Sequence, residues 1–144
     1  MFDVSFLIKI VLLIWLFLCS WQDLRRQEIN LVLIGVGFIS LFILSLIEGE
    51  LHLWERAIGV SLGMILILLN KITRGQIGLG DGLILSVTGI SMGYYINSIL
   101  LVYSLFIAAI FSILYISIKR VDKKKTIPYI PFVFLVSIGV IFYG

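Results

Sequence analysis

Apolar residues run through this chain in long continuous blocks rather than in alternation, and polar residues gather in the short intervals between them. A helix needs roughly 20 apolar residues to cross about 30 Å of hydrocarbon. The blocks Val4 to Trp21, Ile29 to Ile47 and Ser98 to Ile118 meet that requirement within a turn. The blocks Ala57 to Asn70, Leu83 to Ile96 and Tyr129 to Tyr143 are shorter, and each needs interfacial residues or local bilayer thinning to cross. Sheets are disfavoured, because open strands cannot satisfy their backbone in lipid. The pattern predicts an all-α polytopic membrane helix bundle of about six transmembrane helices, forming one domain over residues 1–144. Small residues one turn apart, Gly59 with Gly63, Gly82 with Ser86 and Gly89 with Gly93, let helix backbones approach closely and predict a compact bundle.

Composition agrees: 61% of residues are hydrophobic, 13% are charged and the mean hydropathy is +1.19, which excludes an ordinary soluble domain. The first block does not read as a secretion signal, because Met1-Phe2-Asp3 is acidic and the nearby cation, Lys9, lies inside the block. The single Cys19 excludes an intramolecular disulfide and a cysteine-based zinc cluster, and reads as a small buried hydrophobe.

Six spans leave three connections on one side, around Asp23 to Asn30, Lys71 to Asp81 and Lys119 to Thr126. These hold Arg25, Arg26, Lys71, Arg74, Lys119, Arg120, Lys123, Lys124 and Lys125, nine of the eleven Lys and Arg residues. The connections on the other side, Glu48 to Arg56 and about Gly93 to Asn97, contribute only Arg56. The positive-inside bias then puts the basic connections in the cytoplasm and both termini outside. That bias also accounts for the net charge of +3, so no nucleic-acid partner is implied. The run from Lys119 to Lys125 fixes topology or touches anionic lipid, topology being the simpler reading.

Most of the eight acids have a solvated explanation, such as Glu48, Glu50 and Glu55 in an outer connection and Asp122 within a basic run. Two stand apart. Asp23 follows Trp21 and Gln22 at the end of the first span, and Asp81 lies between Gly80 and Gly82 where the fourth begins, so the topology brings both to one membrane face. Alone, either one is compatible with ordinary interfacial solvation. Together in a partly desolvated site, two carboxyls cannot both ionise easily, so one keeps a proton while the other acts as base. The segment Gly75-Gln76-Ile77-Gly78-Leu79-Gly80-Asp81-Gly82 carries four glycines, which permit positive φ and close approach of backbone or substrate. By itself it also suits a flexible loop, and it lacks the Lys and strand context of a phosphate loop.

The segment Gly78-Leu79-Gly80-Asp81 resembles the Gly-x-Gly-Asp motif of membrane aspartyl peptidases, and among them the chain looks most like the type 4 prepilin peptidases. Asp23-Leu24-Arg25-Arg26-Gln27-Glu28-Ile29-Asn30 is similar to the segment that holds that family's first catalytic Asp. Lys125-Thr126-Ile127-Pro128-Tyr129-Ile130-Pro131-Phe132 is similar to its proline-rich opening of the last span. Two positions depart from the pattern: Glu28-Ile29-Asn30 lacks the proline usual before the Asn, and Leu83 stands where many members have Lys. The paired cysteines of the longer members' amino-terminal region have no counterpart here, so the chain looks like the peptidase core alone. Presenilin-type relatives usually have Tyr before the first Asp, where this chain has Gln22, and that branch fits less well.

The resemblance implies a membrane aspartyl endopeptidase of the prokaryotic plasma membrane that cleaves the leader of prepilin or pseudopilin-like substrates at the cytoplasmic face. Asp23 and Asp81 would be catalytic, and Gly78, Gly80, Pro128 and Pro131 would contact substrate. It implies no metal and no cofactor. Two alternatives stay open: a non-catalytic membrane scaffold or assembly subunit in which the aspartates cap helices or pair with Arg25, Arg26 or Arg74, and a proton-coupled carrier, disfavoured by the interfacial position of both acids. His52 reads as a solvated loop histidine away from both aspartates, and with no second histidine a serine peptidase is disfavoured.

Overall fold

A computed structural model describes residues 3–119 and 127–143 as five helices: α1 (Val4–Arg26), α2 (Leu31–Glu48), α3 (Leu53–Ile72), α4 (Leu79–Lys119) and α5 (Ile130–Tyr143). The chain is all-helical, and α1 to α4 are each long and apolar enough to cross a membrane, with α5 a shorter apolar helix. Large apolar side chains such as Ile14, Val32, Met64 and Phe106 are exposed, as lipid-facing surfaces require. Arg120, Asp122, Lys123, Lys124, Lys125 and Thr126 of the expected basic connection lie outside the described residues.

Helix α4 holds both the fourth and the fifth expected apolar blocks. Its backbone breaks at Gly93, where φ is 75° and ψ is 176°, dividing the helix into a first limb, residues 79–92, and a second limb, residues 94–119. The sequence predicted a connection over about Gly93 to Asn97, but one glycine suffices, and Asn97 lies fully buried within the second limb. Its side-chain amide donates to the Gly59 carbonyl at 3.0 Å and the Leu85 carbonyl at 2.9 Å, and its amide oxygen accepts from the Thr88 hydroxyl at 2.7 Å. One side chain thus ties α3 and both limbs together, with its bonds made inside the bundle, where an unmade bond costs most.

The small-residue pairs lie on a single interface. A Cβ at Gly59 would collide with the Gly89 carbonyl, one at Gly63 with Ser86, and one at Gly82 would come within 2.7 Å of Ile67 Cγ1. Helix α3 and the first limb therefore pack antiparallel at backbone contact. The rest of the core joins α1, α2, α4 and α5 through Ile8, Leu12, Leu16, Leu41, Ile84 and Val133. Trp15 stitches α1 to α2 by donating its indole N–H to the Leu33 carbonyl at 2.8 Å.

Arg56 departs from expectation. The sequence assigned it to an outer connection, but it lies in the first turn of α3, 4% exposed. Its guanidinium donates to the carbonyls of Leu51 at 3.2 Å, Ile90 at 3.3 Å and Ser45. Ser45 is in the last turn of α2 and Ile90 in the last turn of the first limb, so the cation sits where two helix C-termini present carbonyls and negative dipole ends.

Candidate active site

The end of the bundle opposite Arg56 holds a cavity of about 750 Å³ where α1 ends, α2 and α4 begin, and the segment leading into α5 passes. Asp23, Gly78, Gly80, Asp81 and Pro128 all line it. The structure therefore brings together five of the six residues singled out from sequence. Pro131 lines instead an adjoining apolar pocket of about 380 Å³, formed with Leu24, Phe111, Tyr115 and Phe132, and the two cavities share Gln27, Ile127 and Pro128 as walls.

Asp23 belongs to the last turn of α1, which extends past the apolar block to Arg26 and stops at Gln27 in the left-handed region, φ 53°. Ile8, Leu12, Trp15, Leu16 and Cys19 form the buried stripe of α1, and helical spacing carries that stripe onto Asp23, which is 8% exposed. The position is unusual for a carboxylate unless something offers it a hydrogen bond. The backbone N–H of Ile130 does so, donating to Asp23 Oδ2 at 3.2 Å. Ile130 is the first residue of α5, so Asp23 caps a helix from another part of the chain and takes advantage of its positive dipole end.

Asp81 occupies the first turn of α4. The loop before it is folded by Asn70, whose side-chain amide donates to the Ile77 carbonyl and whose own carbonyl accepts from the Gly75 N–H at 2.9 Å. Positive φ occurs at Arg74 (54°) and Gly75 (86°), not at Gly78 or Gly80. Those two glycines serve close approach: a Cβ on Gly78 would come within 2.6 Å of Asp81 Oδ2, and one on Gly80 within 2.6 Å of Ile29 Cδ1. The motif thus leaves space for the Asp81 carboxyl on one side and lets the connection between α1 and α2 close against α4 on the other. Neither aspartate is paired with Arg25, Arg26 or Arg74 among the described residues. Arg25 instead stacks over the Trp21 ring, 4.8 Å from its centroid.

Leu83, which stands where many members of the resembled family have Lys, contributes an apolar wall beside Asp81. Two further features of the cavity did not emerge from sequence: Glu28 adds an exposed third acid to the lining, and Tyr129 closes the α5 side. Of these, Tyr129 had a usable signal, since it lies between Pro128 and Pro131. His52 is exposed at the start of α3 and does not line the cavity. Among the described residues no cluster of three His, Cys, Asp or Glu side chains is arranged to hold a metal ion.

Two carboxyls that line one cavity from different helices supply the two groups that general acid–base hydrolysis requires, one to carry a proton and one to accept it. Comparison with family models matches residues 10–113 to the type IV leader peptidase family. The matched stretch includes Asp23, Gly78, Gly80 and Asp81 and stops before Pro128 and Pro131. No curated protein and no solved structure matches the chain. With more than half of its length matched by that one family model, the chain belongs to the type IV leader peptidase family.

Proposed function

We propose that this chain is a membrane aspartyl endopeptidase that removes the leader peptide from prepilin or pseudopilin-like substrates, with Asp23 and Asp81 as its catalytic pair. The observation that carries the reading is that these two carboxyls, distant in sequence and in neither case consumed by an ion pair among the described residues, line one cavity. Family membership supports the peptidase assignment.

In the proposed reaction one carboxylate removes a proton from a water molecule as the oxygen attacks the scissile carbonyl carbon. The protonated partner donates a hydrogen bond to the carbonyl oxygen and stabilises the tetrahedral intermediate. Collapse breaks the C–N bond, and the proton taken from water passes to the departing amine. The substrate backbone lies beside Gly78 and Gly80 in the cavity that both line, and Pro128 and Pro131 line its path into the adjoining apolar pocket. Glu28 at the cavity suits a basic leader. The excess of Lys and Arg on the connections at this end supports a cytoplasmic active site with both termini outside.

The scaffold alternative has one observation in its favour, since Asp23 does cap α5. Co-expression with a panel of prepilin-like substrates separates the two. The peptidase reading expects leader removal by wild type and its loss in Asp23→Asn and Asp81→Asn at unchanged membrane abundance. Intact substrate with wild type across the whole panel supports the scaffold.

A further inference from the structure

We infer that Tyr129 and Ser104 form a positioning device for Asp23, holding the start of α5 so that the Ile130 N–H meets the Asp23 carboxyl. The inference rests on the peptidase reading for its catalytic consequence, but its structural half stands without it.

Ser104 lies in the second limb of α4, within a long apolar run, and is fully buried. A hydroxyl at such a place must find partners. Ser104 Oγ is 3.1 Å from the Leu101 carbonyl and also in contact with the Tyr129 hydroxyl. Either hydroxyl can donate in this bond, and in both cases it ties the Tyr129 side chain to α4. The Tyr129 hydroxyl is thus engaged with Ser104, although the residue lines the cavity. That makes it a positioning residue.

The backbone of Tyr129 does the rest. Its carbonyl accepts from the N–H groups of Phe132 at 3.0 Å and Val133 at 3.4 Å, so it opens the first turn of α5. Pro131 has no N–H. Of the donors in this first turn, the one at Ile130 is thus left without a partner inside the helix, and it is the one that reaches Asp23 Oδ2 at 3.2 Å. Anchoring the Tyr129 side chain to α4 fixes where that donor points. The path runs from Ser104 through Tyr129 and the Ile130 amide to Asp23, joining α4, α5 and α1 at the cavity wall.

The test uses the purified full-length chain in lipid nanodiscs, comparing Tyr129→Phe, Ser104→Ala, Ser104→Thr, Asp23→Asn and Asp23→Ala. Exchange of the Ile130 amide with deuterium is expected to quicken about tenfold in Tyr129→Phe, Ser104→Ala and Asp23→Ala, the loss of roughly one hydrogen bond's worth of protection. Amides in the middle of α5 are expected to keep their rates, and Ser104→Thr to restore the wild-type rate at Ile130. With a cleavable prepilin-like peptide, Tyr129→Phe is expected to lower kcat about tenfold with KM within twofold. Tyr129→Phe combined with Ser104→Ala should lose no more, because both remove one bond. Unchanged Ile130 exchange in Tyr129→Phe overturns the inference, and so does a kcat within twofold of wild type when Asp23→Asn abolishes cleavage. If wild type cleaves none of the peptides, the peptidase reading fails, and the exchange data alone decide whether Tyr129 positions Asp23.

Discussion

The two ends of this bundle handle charge in opposite ways. At one end a single cation, Arg56, is buried and surrounded by carbonyls from α2, the loop before α3 and the first limb of α4. At the other, two carboxyls line an open cavity, with one backbone N–H on Asp23 and no ion-pair partner for either among the described residues. A saturated charge locks helix ends together, whereas carboxyls left with spare hydrogen-bonding capacity can bind water and exchange protons. Sealing one end and leaving the carboxyls of the other open to a cavity combines a rigid frame with a site that suits the proposed reaction.

That contrast is broken most severely at the packed interface both ends depend on. Gly59→Val places a branched side chain against the Gly89 carbonyl. The α3–α4 contact cannot absorb it, and loss of folded protein from the membrane is expected, read by abundance and by size-exclusion chromatography in detergent. At the sealed end, Arg56→Met takes the guanidinium from three carbonyls, of which that of Ser45 keeps the Gly49 N–H, and is expected to lower stability by about 2 kcal/mol, at the usual ~1 kcal/mol or more for each acceptor left unmatched. Thermal unfolding in detergent measures this, and the fraction that remains folded should cleave at the wild-type rate. At the cavity end the pattern reverses. Gly78→Ala sets a methyl against Asp81 Oδ2 and is expected to reduce kcat by roughly ten- to a hundredfold with an unchanged melting temperature, because a displaced catalytic group costs rate rather than stability. His52→Ala, exposed and away from the cavity, is expected to leave cleavage and stability within experimental scatter of wild type.

The frame was legible because lipid demands continuous apolar helices, and each of the six blocks became a helical segment within a few residues of its expected ends. The small-residue pairs were equally plain, and all of them meet at α3 and the first limb of α4. Arg56 was not. Beside Trp54, Glu55 and His52 it reads as a solvated loop cation, and only the convergence of two helix C-termini in space explains its burial. The single-residue turn at Gly93 was hidden for a related reason: a glycine between two apolar blocks looks the same whether it begins a loop or replaces one.

For the cavity, the Gly-x-Gly-Asp segment and the residues following Trp21 identified Asp81 and Asp23 by resemblance. Their shared cavity follows from helix register, since the buried stripe of α1 runs onto Asp23. The link from Ser104 to Tyr129 was out of reach, because a lone serine in an apolar span has many buried partners to choose from and sequence does not say which.

The central claim is that Asp23 and Asp81 act as one catalytic unit. Its most direct test is the cleavage rate of a purified prepilin-like substrate by wild type, Asp23→Asn, Asp81→Asn and the double variant, each confirmed folded by thermal unfolding. The account predicts that each single variant loses about a thousandfold or more in kcat and that the double variant loses no further activity, as for groups that work only together. A single variant that cleaves at the wild-type rate, or losses that multiply in the double variant, would contradict it.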